Sequence, residues 1–190
     1  MGKLVVTEFV TLDGVMQDPG GAEQESFAQG GWAFRSDRGA DGDAFKFEEL
    51  MTADAQLLGR RTYEGFAKAW PTMEGTGEFG EKMNAMPKFV VSSTLEQADW
   101  NNSTVLRGDL AEEVTRLKDD YEGDILVAGS ATLVQGLLAA GLVDELHLMV
   151  FPVLLGAGKR LFADGAELPL ALTDLRRSGE VAILVFTRTA

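Results

Sequence analysis

Glycine, arginine and hydroxyl residues follow three apolar segments of the chain, a combination that suits the binding of phosphate groups. A helix that starts after a glycine turn presents free backbone N–H groups and a positive partial charge. Two consecutive arginines add charge-assisted donors. Alternatively, the arginines are solvated and the hydroxyl groups only close turns. Three such segments together favour a nucleotide ligand. The candidate residues are Gly59, Arg60, Arg61 and Thr62; Ser92, Ser93 and Thr94; and Gly129, Ser130, Ala131 and Thr132.

Two acidic residues are candidates for moving a proton at this site. Asp13 follows the first predicted strand, where it closes a turn or meets a ligand. Asp43 begins a predicted helix, a position that the helix dipole favours for an acid in any case. A buried acid there could also donate a proton to a ring nitrogen. His147 is the only histidine and lies in the middle of a predicted strand, so a packed or edge position explains it better than catalysis or a metal site.

Two glycine-rich stretches resemble nucleotide-binding motifs but are excluded by their surroundings. Residues 75–80 fit the pattern G-x-G-x-x-G. A dinucleotide fingerprint follows a strand and opens a helix, whereas this stretch lies in a predicted loop and carries acidic neighbours. Residues 156–160 lack the upstream glycine and the Ser or Thr of a P-loop, so we interpret them as a basic glycine turn.

The composition limits the function classes. The chain has 190 residues and a formal net charge of −13, which argues against a nucleic-acid partner. It has no cysteine, so it has neither a disulfide framework nor a cysteine zinc site. Its first residues form neither a signal peptide nor a membrane span. We therefore expect a single domain over 1–190, a cytoplasmic location, and no membrane or metal partner.

The pattern of apolar residues predicts alternating strands and helices. An irregular stretch to about residue 41 contains Phe27, Trp32 and Phe34, which either line a pocket or anchor the loop. The alternation predicts an α/β domain with a mostly parallel sheet and an antiparallel edge, in which ligands bind at the carboxyl ends of the strands. Strands are predicted at 3–12, 55–58, 88–93, 103–106, 125–128, 145–151, 170–177 and 181–189, and helices at 43–51, 60–69, 81–86, from about 109, and at 131–140.

Several blocks of the chain, in this order, resemble the dihydrofolate reductase-like superfamily. The closest branch is the one that contains the reductase domain of the bifunctional riboflavin-synthesis deaminase–reductase. The resemblance implies a three-layer fold with a mixed, mostly parallel central sheet flanked by helices and a C-terminal antiparallel hairpin. The blocks are Thr11–Gly14, Leu57–Glu64, Val127–Ala131, Val143–Leu146 and Pro152–Phe162.

The resemblance also implies a reaction, a cofactor and a partner. Such proteins transfer a hydride from NADPH to a pyrimidine or pteridine, here a substrate similar to 5-amino-6-(5-phosphoribosylamino)uracil. Many are homodimers, and the apolar run Leu146–Leu155 would supply the interface. A non-catalytic module that binds a nucleotide or another ligand on the same fold is the alternative.

The same resemblance assigns roles to individual residues. Asp43 falls near the acid that serves folate reduction, and Asp13 is the second candidate acid. Classical members have a Gly-Gly pair joined by a cis peptide where this chain has Gly129-Ser130. The residues expected to hold NADPH are Gly59, Arg60, Arg61, Thr62, Ser92, Ser93, Gly129, Ser130, Ala131 and Thr132.

Overall fold

Strands and helices alternate along most of the chain, as the apolar pattern predicts. The computed structural model describes residues 1–22 and 27–189, so residues 23–26 of the long loop and Ala190 lie outside the described residues. The strands are β1 (Leu4–Thr11), β2 (Ala55–Gly59), β3 (Lys88–Val91), β4 (Ser103–Leu106), β5 (Ile125–Val127), β6 (Glu145–Phe151), β7 (Leu170–Ser178) and β8 (Val181–Arg188). The helices are α1 (Gly39–Thr52), α2 (Arg60–Ala69), α3 (Gly77–Ala85), α4 (Leu110–Asp120) and α5 (Ala131–Ala139), with short 3-10 helices at Trp32–Arg35 and Trp70–Thr72.

All eight strands belong to one sheet, in the order β4-β3-β2-β5-β1-β6-β8-β7. Neighbouring strands from β4 to β6 are parallel, and β8 is antiparallel to both β6 and β7. This arrangement confirms the predicted α/β class, with a mostly parallel sheet and a C-terminal antiparallel hairpin. No helix in the described part of the chain is long and apolar enough to span a membrane.

Helices cover both faces of the sheet because β1 and β5 are apolar on both faces. Leu4 and Val6 of β1 pack in one core cluster with residues of α4 and α5. Val5 points to the opposite face and packs with residues of α1 and α2. Full burial of one such leucine or valine side chain contributes about 1.5–3 kcal/mol. This two-sided burial supports a three-layer architecture.

Two helices begin earlier than the sequence predicts. Helix α1 begins at Gly39 and not at Asp43. Gly39 has a φ of +67°, its N–H donates to Asp37 Oδ1 at 2.8 Å, and the Gly42 N–H donates to Ser178 Oγ at 2.8 Å. A contact with the distant β7 therefore supports the first turn. Helix α3 begins at Gly77, so the G-x-G-x-x-G stretch opens a helix after a turn, although no strand precedes it.

The aromatic residues of the long loop mainly anchor it to the core. Trp32 is fully buried, and its Nε1–H donates to the Gln17 carbonyl oxygen at 2.8 Å. Phe27 and Trp32 belong to the same core cluster as Phe151. Phe34, by contrast, is exposed. Of the two interpretations left open for these residues, anchoring holds for Phe27 and Trp32.

The strand expected to supply a dimer interface lies inside the sheet. Strand β6 pairs with β1 on one side and β8 on the other, and Leu146 and Phe151 are buried within the same chain. Leu146 and Phe151 are therefore part of the core of one subunit, and the interface expected over Leu146–Leu155 stays a prediction. Within the remainder of that run, Leu154 is exposed. The homodimer itself stays a prediction.

Candidate functional site

The three candidate segments lie side by side at the carboxyl ends of β2, β3 and β5. The register pairs Gly59 with Val91 of β3, so Ser92 is the next residue along. On the other side of β2, Leu57 pairs with Val127, and the Gly59 N–H donates to the Gly129 carbonyl oxygen at 3.1 Å. Parallel strands end at the same edge, which is the physical reason that segments 59–62, 92–94 and 129–132 converge.

Glycine is required where the first and third segments touch. A Cβ atom on Gly59 would lie 2.3 Å from Ser130 Oγ, and one on Gly129 would lie 2.7 Å from Thr62 Oγ1. Gly129 also has a φ of +88°, which favours glycine. Thr62 Oγ1 and Ser130 Oγ are 3.3 Å apart, and the Gly129–Ser130 peptide bond is cis. We call Gly59, Thr62, Gly129 and Ser130 the glycine cradle.

Two helix N-termini meet at the glycine cradle. Helix α2 begins directly after Gly59 and α5 directly after Ser130, and neither first turn has a side-chain cap within the described residues. Helix α4 differs, because Asp109 accepts hydrogen bonds from the N–H groups of Ala111 and Glu112. The first N–H groups of α2 and α5 thus lack the carboxylate or hydroxyl acceptor that normally satisfies them. Their aligned dipoles favour an anion at the same place.

The arginine and serine side chains of the site differ in whether they already bind other groups of the protein. Arg60 forms an i,i+4 ion pair with Glu64 at 3.0 Å. Arg61 is exposed and makes no side-chain hydrogen bond or ion pair with any residue of 1–22 or 27–189. Ser92 Oγ accepts hydrogen bonds from the N–H groups of Thr94, at 3.2 Å, and Leu95, at 2.9 Å. The Ser92 hydroxyl therefore closes a turn, as the simpler interpretation holds, while Arg61 keeps its donors.

Both candidate acids carry contacts within the protein. The Asp13 carboxylate accepts hydrogen bonds from Thr11 Oγ1 at 2.6 Å and the Gly156 N–H at 2.8 Å. The Thr11 hydrogen bond, followed by that of Gly156, lowers the pKa of Asp13 to about 2. Asp43 lies within α1, with 62% of its side chain exposed, and pairs with Arg38 Nη2 at 2.6 Å. A catalytic role for either acid stays a prediction.

The contacts of Asp13 predict a local effect on the glycine turn at 156–160. Replacing Asp13 with Asn should speed amide hydrogen exchange at Leu155 and Gly156 several-fold, because a neutral amide is a weaker acceptor than a carboxylate. Acidification should likewise weaken the protection of these amides in the wild type, measured as the exchange rate relative to the intrinsic rate at each pH. A depressed folded-state pKa contributes stability above the unfolded value of 3.8, and this contribution is lost as the pH falls through about 2. Exchange measured by mass spectrometry checks both effects.

The matched control is Asp164→Asn, an exposed acid after the same turn. It should leave the exchange at Leu155 and Gly156 unchanged. Equal exchange in the two variants would show that the Asp13 carboxylate does not hold this turn.

A buried acid beside the glycine cradle escaped the sequence analysis. Alternation along β1 puts Glu8 on the face of Val6 and Val10, and only 8% of the residue is exposed. Burial raises the pKa of Glu8 to about 8, against the opposing effects of the Lys46 charge and the Gly129 N–H. Its Oε1 atom is buried without a hydrogen-bond partner among the described residues. The sequence signal that could have identified Glu8 is a glutamate within a valine-rich strand.

A second group of polar residues lies on the opposite face of β1, between α1 and β6. Glu49 Oε1 lies 2.6 Å from His147 Nδ1, and Glu49 Oε2 lies 3.0 Å from Lys46 Nζ. Thr7 Oγ1 contacts both Glu49 oxygens at 3.0 Å, and His147 Nε2 lies 3.1 Å from Glu145 Oε2. His147 is therefore bound by two carboxylates, and a merely packed or edge position does not describe it. We call Lys46, Glu49, His147 and Glu145 the polar chain.

Charge holds the inner carboxylate of the polar chain ionised. Burial raises the pKa of Glu49, but the Lys46 charge and the hydrogen bonds from His147 and Lys46 outweigh it, so the net pKa is lowered. The apolar spacing around Glu49 predicted a helix but could not reveal its partners on β1 and β6. In the described ranges, no group of three or more His, Cys, Asp or Glu side chains has the arrangement of a metal site.

Comparison with known proteins identifies similar sequences and folds. The family model of the RibD C-terminal domain matches residues 2–184. The uncharacterized protein YyaP of Bacillus subtilis (strain 168) is 29% identical over 188 residues, which cover 96% of this chain and 93% of YyaP.

Solved structures show the same fold. The crystal structure named "Putative riboflavin biosynthesis protein" from Shewanella sp. PV-4 has a TM-score of 0.77 at 18% identity and covers 99% of both chains. Dihydrofolate reductase from Enterococcus faecalis, complexed with NADP(H), has a TM-score of 0.57 at 18% identity, covering 99% of this chain and 97% of that one. These similarities confirm the predicted dihydrofolate reductase-like fold.

Proposed function

This chain belongs to the RibD C-terminal domain family, and on that premise we propose that it is an NADPH-dependent reductase. The family implies a reductase-type role connected with riboflavin synthesis. The observation that carries the finer proposal is the meeting of two uncapped helix N-termini at the glycine cradle, next to Arg61, whose side chain pairs with none of the described residues. This combination supplies backbone donors, a positive field and a free guanidinium for a phosphorylated cofactor.

The residues at the cradle fit a dinucleotide diphosphate. Because Gly59 and Gly129 lack a Cβ atom, the first turn of α2 and the first turn of α5 pack directly against each other, with Ser130 against Gly59 and Thr62 against Gly129. The first N–H groups of α2 and α5 would hold the diphosphate, Arg61 with Arg60 would hold the 2′-phosphate, and Ser93 and Thr132 have exposed hydroxyls beside them. When bound, NADPH supplies the hydride. The protein binds and orients the reactants, as is usual for cofactor enzymes.

The proposed substrate is a pyrimidine or pteridine, with 5-amino-6-(5-phosphoribosylamino)uracil as the first compound to test. Family membership supports this class. One observation favours a second candidate function, a non-catalytic nucleotide-binding module. Asp43, the acid nominated for catalysis, is largely exposed and already paired with Arg38. In that case NADPH would bind without being oxidised.

A two-step experiment separates these functions. NADPH fluorescence on titration with the protein measures binding, and loss of NADPH absorbance in the presence of the uracil compound or dihydrofolate measures reduction. Binding with oxidation supports the reductase, and binding without oxidation on either compound supports the module. Absence of binding contradicts both.

The free guanidinium of Arg61 predicts a preference for NADPH over NADH. Replacing Arg61 with Ala should weaken NADPH binding about tenfold to a hundredfold, the effect of losing a hydrogen bond to a charged group. NADH, which lacks the 2′-phosphate, should bind nearly as before. Calorimetric titration with each cofactor checks the difference.

Arg116→Ala is the matched control for Arg61, since Arg116 is also an exposed helix arginine and lies on α4. It should leave both affinities unchanged. Equal losses of NADPH and NADH affinity in Arg61→Ala would remove Arg61 from recognition of the 2′-phosphate.

A further inference from the structure

The polar chain forms a continuous hydrogen-bonded path from the protein surface to the interior. Lys3 Nζ, on a side chain that is 60% exposed, lies 2.7 Å from Glu145 Oε1. Glu145 Oε2 continues to His147 Nε2, and His147 Nδ1 continues to Glu49 Oε1. Glu49 Oε2 ends the path at Lys46 Nζ, and the Glu49 side chain is only 5% exposed. In each carboxylate, one oxygen contacts the preceding group of the path and the other oxygen contacts the next. Both imidazole nitrogens have a carboxylate neighbour, so the path has the connectivity that proton transfer requires.

The inner end of this path contacts β1, which pairs with β5, the strand that leads to the glycine cradle. Lys46 Nζ donates to Thr7 Oγ1. Because β1 pairs Val6 with Val127 of β5, the next residues along the two strands are Thr7 and Ala128, and Ala128 precedes Gly129. The Lys46 charge also acts on Glu8, whose carboxyl receives the Gly129 N–H. The ammonium group thus lies beside the strand pair that ends at the cradle.

Two aromatic rings lie close to the Lys46 ammonium group. Lys46 Nζ lies 5.2 Å from the centroid of the Phe9 ring and 5.6 Å from that of Phe45. Arg38 lies over Phe9 and Arg176 over Phe45. A buried ion pair contributes little net stability compared with apolar packing. Lys46, whose side chain is 16% exposed, is an ammonium group with a hydrogen-bonded path to the surface, and is therefore a candidate for function.

We propose that Lys46 donates the proton that completes reduction of the heterocycle and that Glu49, His147 and Glu145 return a proton to it from solvent. This inference rests on the proposed reductase function. The hydride from NADPH adds to the carbon of a C=N or C=O bond, and the π electrons move to the nitrogen or oxygen. That atom takes a proton from Lys46 Nζ, and one solvent proton restores Lys46 through the polar chain. The sum is NADPH, a proton and the heterocycle giving NADP⁺ and the reduced heterocycle.

All charged groups that surround His147 enter the pH dependence of this relay. Glu49 and Lys46 face it from α1, and Glu145 faces it from its own strand. Asp124 acts on it from the segment before β5, and Lys3 acts on its partner Glu145. Its neighbour on β8, Val185, is apolar.

The test uses two substitutions in the path, Lys46→Arg and Glu145→Gln. The control is a substitution at an ion pair elsewhere in the protein. Lys46→Arg keeps the charge, but arginine does not release its proton in proteins, so the rate of NADPH oxidation with the uracil compound should fall about 100-fold. NADPH affinity should stay within about threefold of wild type. The control, Lys118→Arg, alters the ion pair of the buried Lys118 with Asp144, where Nζ and Oδ2 are 2.6 Å apart, and should keep the wild-type rate.

A second readout does not depend on turnover. His147 is the only histidine, so ¹⁵N-histidine labelling reports its ring nitrogens without assignment. Glu145→Gln should shift the titration midpoint of His147 in the cofactor-free protein. The pH midpoint of the oxidation rate should shift in the same direction and by a similar amount. A merely structural His147 would move the first midpoint and leave the second unchanged.

The outcomes separate this relay from the proposed function. Failure of the wild type to oxidise NADPH with either heterocycle refutes the reductase and removes the relay with it. If the wild type oxidises NADPH and Lys46→Arg does so at the same rate, the relay alone is refuted. The relay is also refuted if Glu145→Gln leaves the pH midpoint of the oxidation rate unchanged. A 100-fold loss in Asp43→Asn with a normal rate in Lys46→Arg would return the proton donor to Asp43.

Discussion

Replacing Gly59 with alanine is expected to lower NADPH affinity about 100-fold. Gly59 has a φ of −76°, which alanine adopts without strain, so the effect is steric. The added Cβ would lie 2.3 Å from Ser130 Oγ and 2.9 Å from the Ser130 backbone nitrogen. The hydroxyl can rotate away, but the backbone can move only by shifting the start of α5. Overpacking of this kind costs about 1–3 kcal/mol.

Calorimetric titration with NADPH, together with the melting temperature of each variant, checks this prediction. Gly65→Ala is the matched control, because Gly65 lies in the same helix and a Cβ there meets nothing within 4 Å. It should bind NADPH normally and stabilise α2 by roughly 0.5–1 kcal/mol. Normal NADPH binding by Gly59→Ala would show that the two helix N-termini do not jointly form the cofactor site.

Removal of the buried acid beside the cradle should change how the stability of the protein depends on pH. Glu8 has a folded-state pKa of about 8, compared with 4.5 in the unfolded chain. Between these values the unfolded chain has released the proton that the folded protein retains, so the free energy of unfolding falls as the pH rises. At about 1.4 kcal/mol per unit, the decrease has an upper bound of about 5 kcal/mol. The variant Glu8→Gln has no ionisable group at this position, so its free energy of unfolding should not show this decrease.

Urea unfolding between pH 5 and pH 8 measures the effect. The wild type should lose stability across this range through Glu8, and Glu8→Gln should show a flatter profile and the higher stability at pH 8. Glu48→Gln, at an exposed position of α1, should follow the wild-type profile. Parallel profiles for Glu8→Gln and the wild type would mean that Glu8 is already ionised in the folded protein.

Local sequence patterns were sufficient for the elements that carry the cradle. The apolar run before Gly59 and the helical spacing after it predict β2 and α2, and Asp109 is the predicted cap of α4. Since parallel strands end at one edge, the convergence of Gly59, Ser92 and Gly129 follows from strand type alone. The same reasoning could not say whether a hydroxyl serves a ligand or a turn. The structure shows that the Ser92 hydroxyl serves a turn, because it accepts hydrogen bonds from the N–H groups of Thr94 and Leu95.

Other features depend on contacts between residues that are far apart in the chain. The start of α1 depends on Ser178, which is 136 residues from Gly42. The interior position of β6 in the sheet depends on its pairing with β8. In each case the local sequence allows several outcomes, and tertiary packing selects one of them.

By itself, the sequence determined the class of fold, the order of its elements and the edge of the sheet at which the three candidate segments converge. These properties follow from apolar periodicity, glycine positions and helix ends, which act over a few residues. Only the tertiary structure decided which polar residues are buried and what they contact. Glu49 and His147 are 98 residues apart and meet because α1 packs on β1 and β6. Burial and partner charges set the protonation of Glu8 and Glu49, and neither quantity exists until the chain has folded.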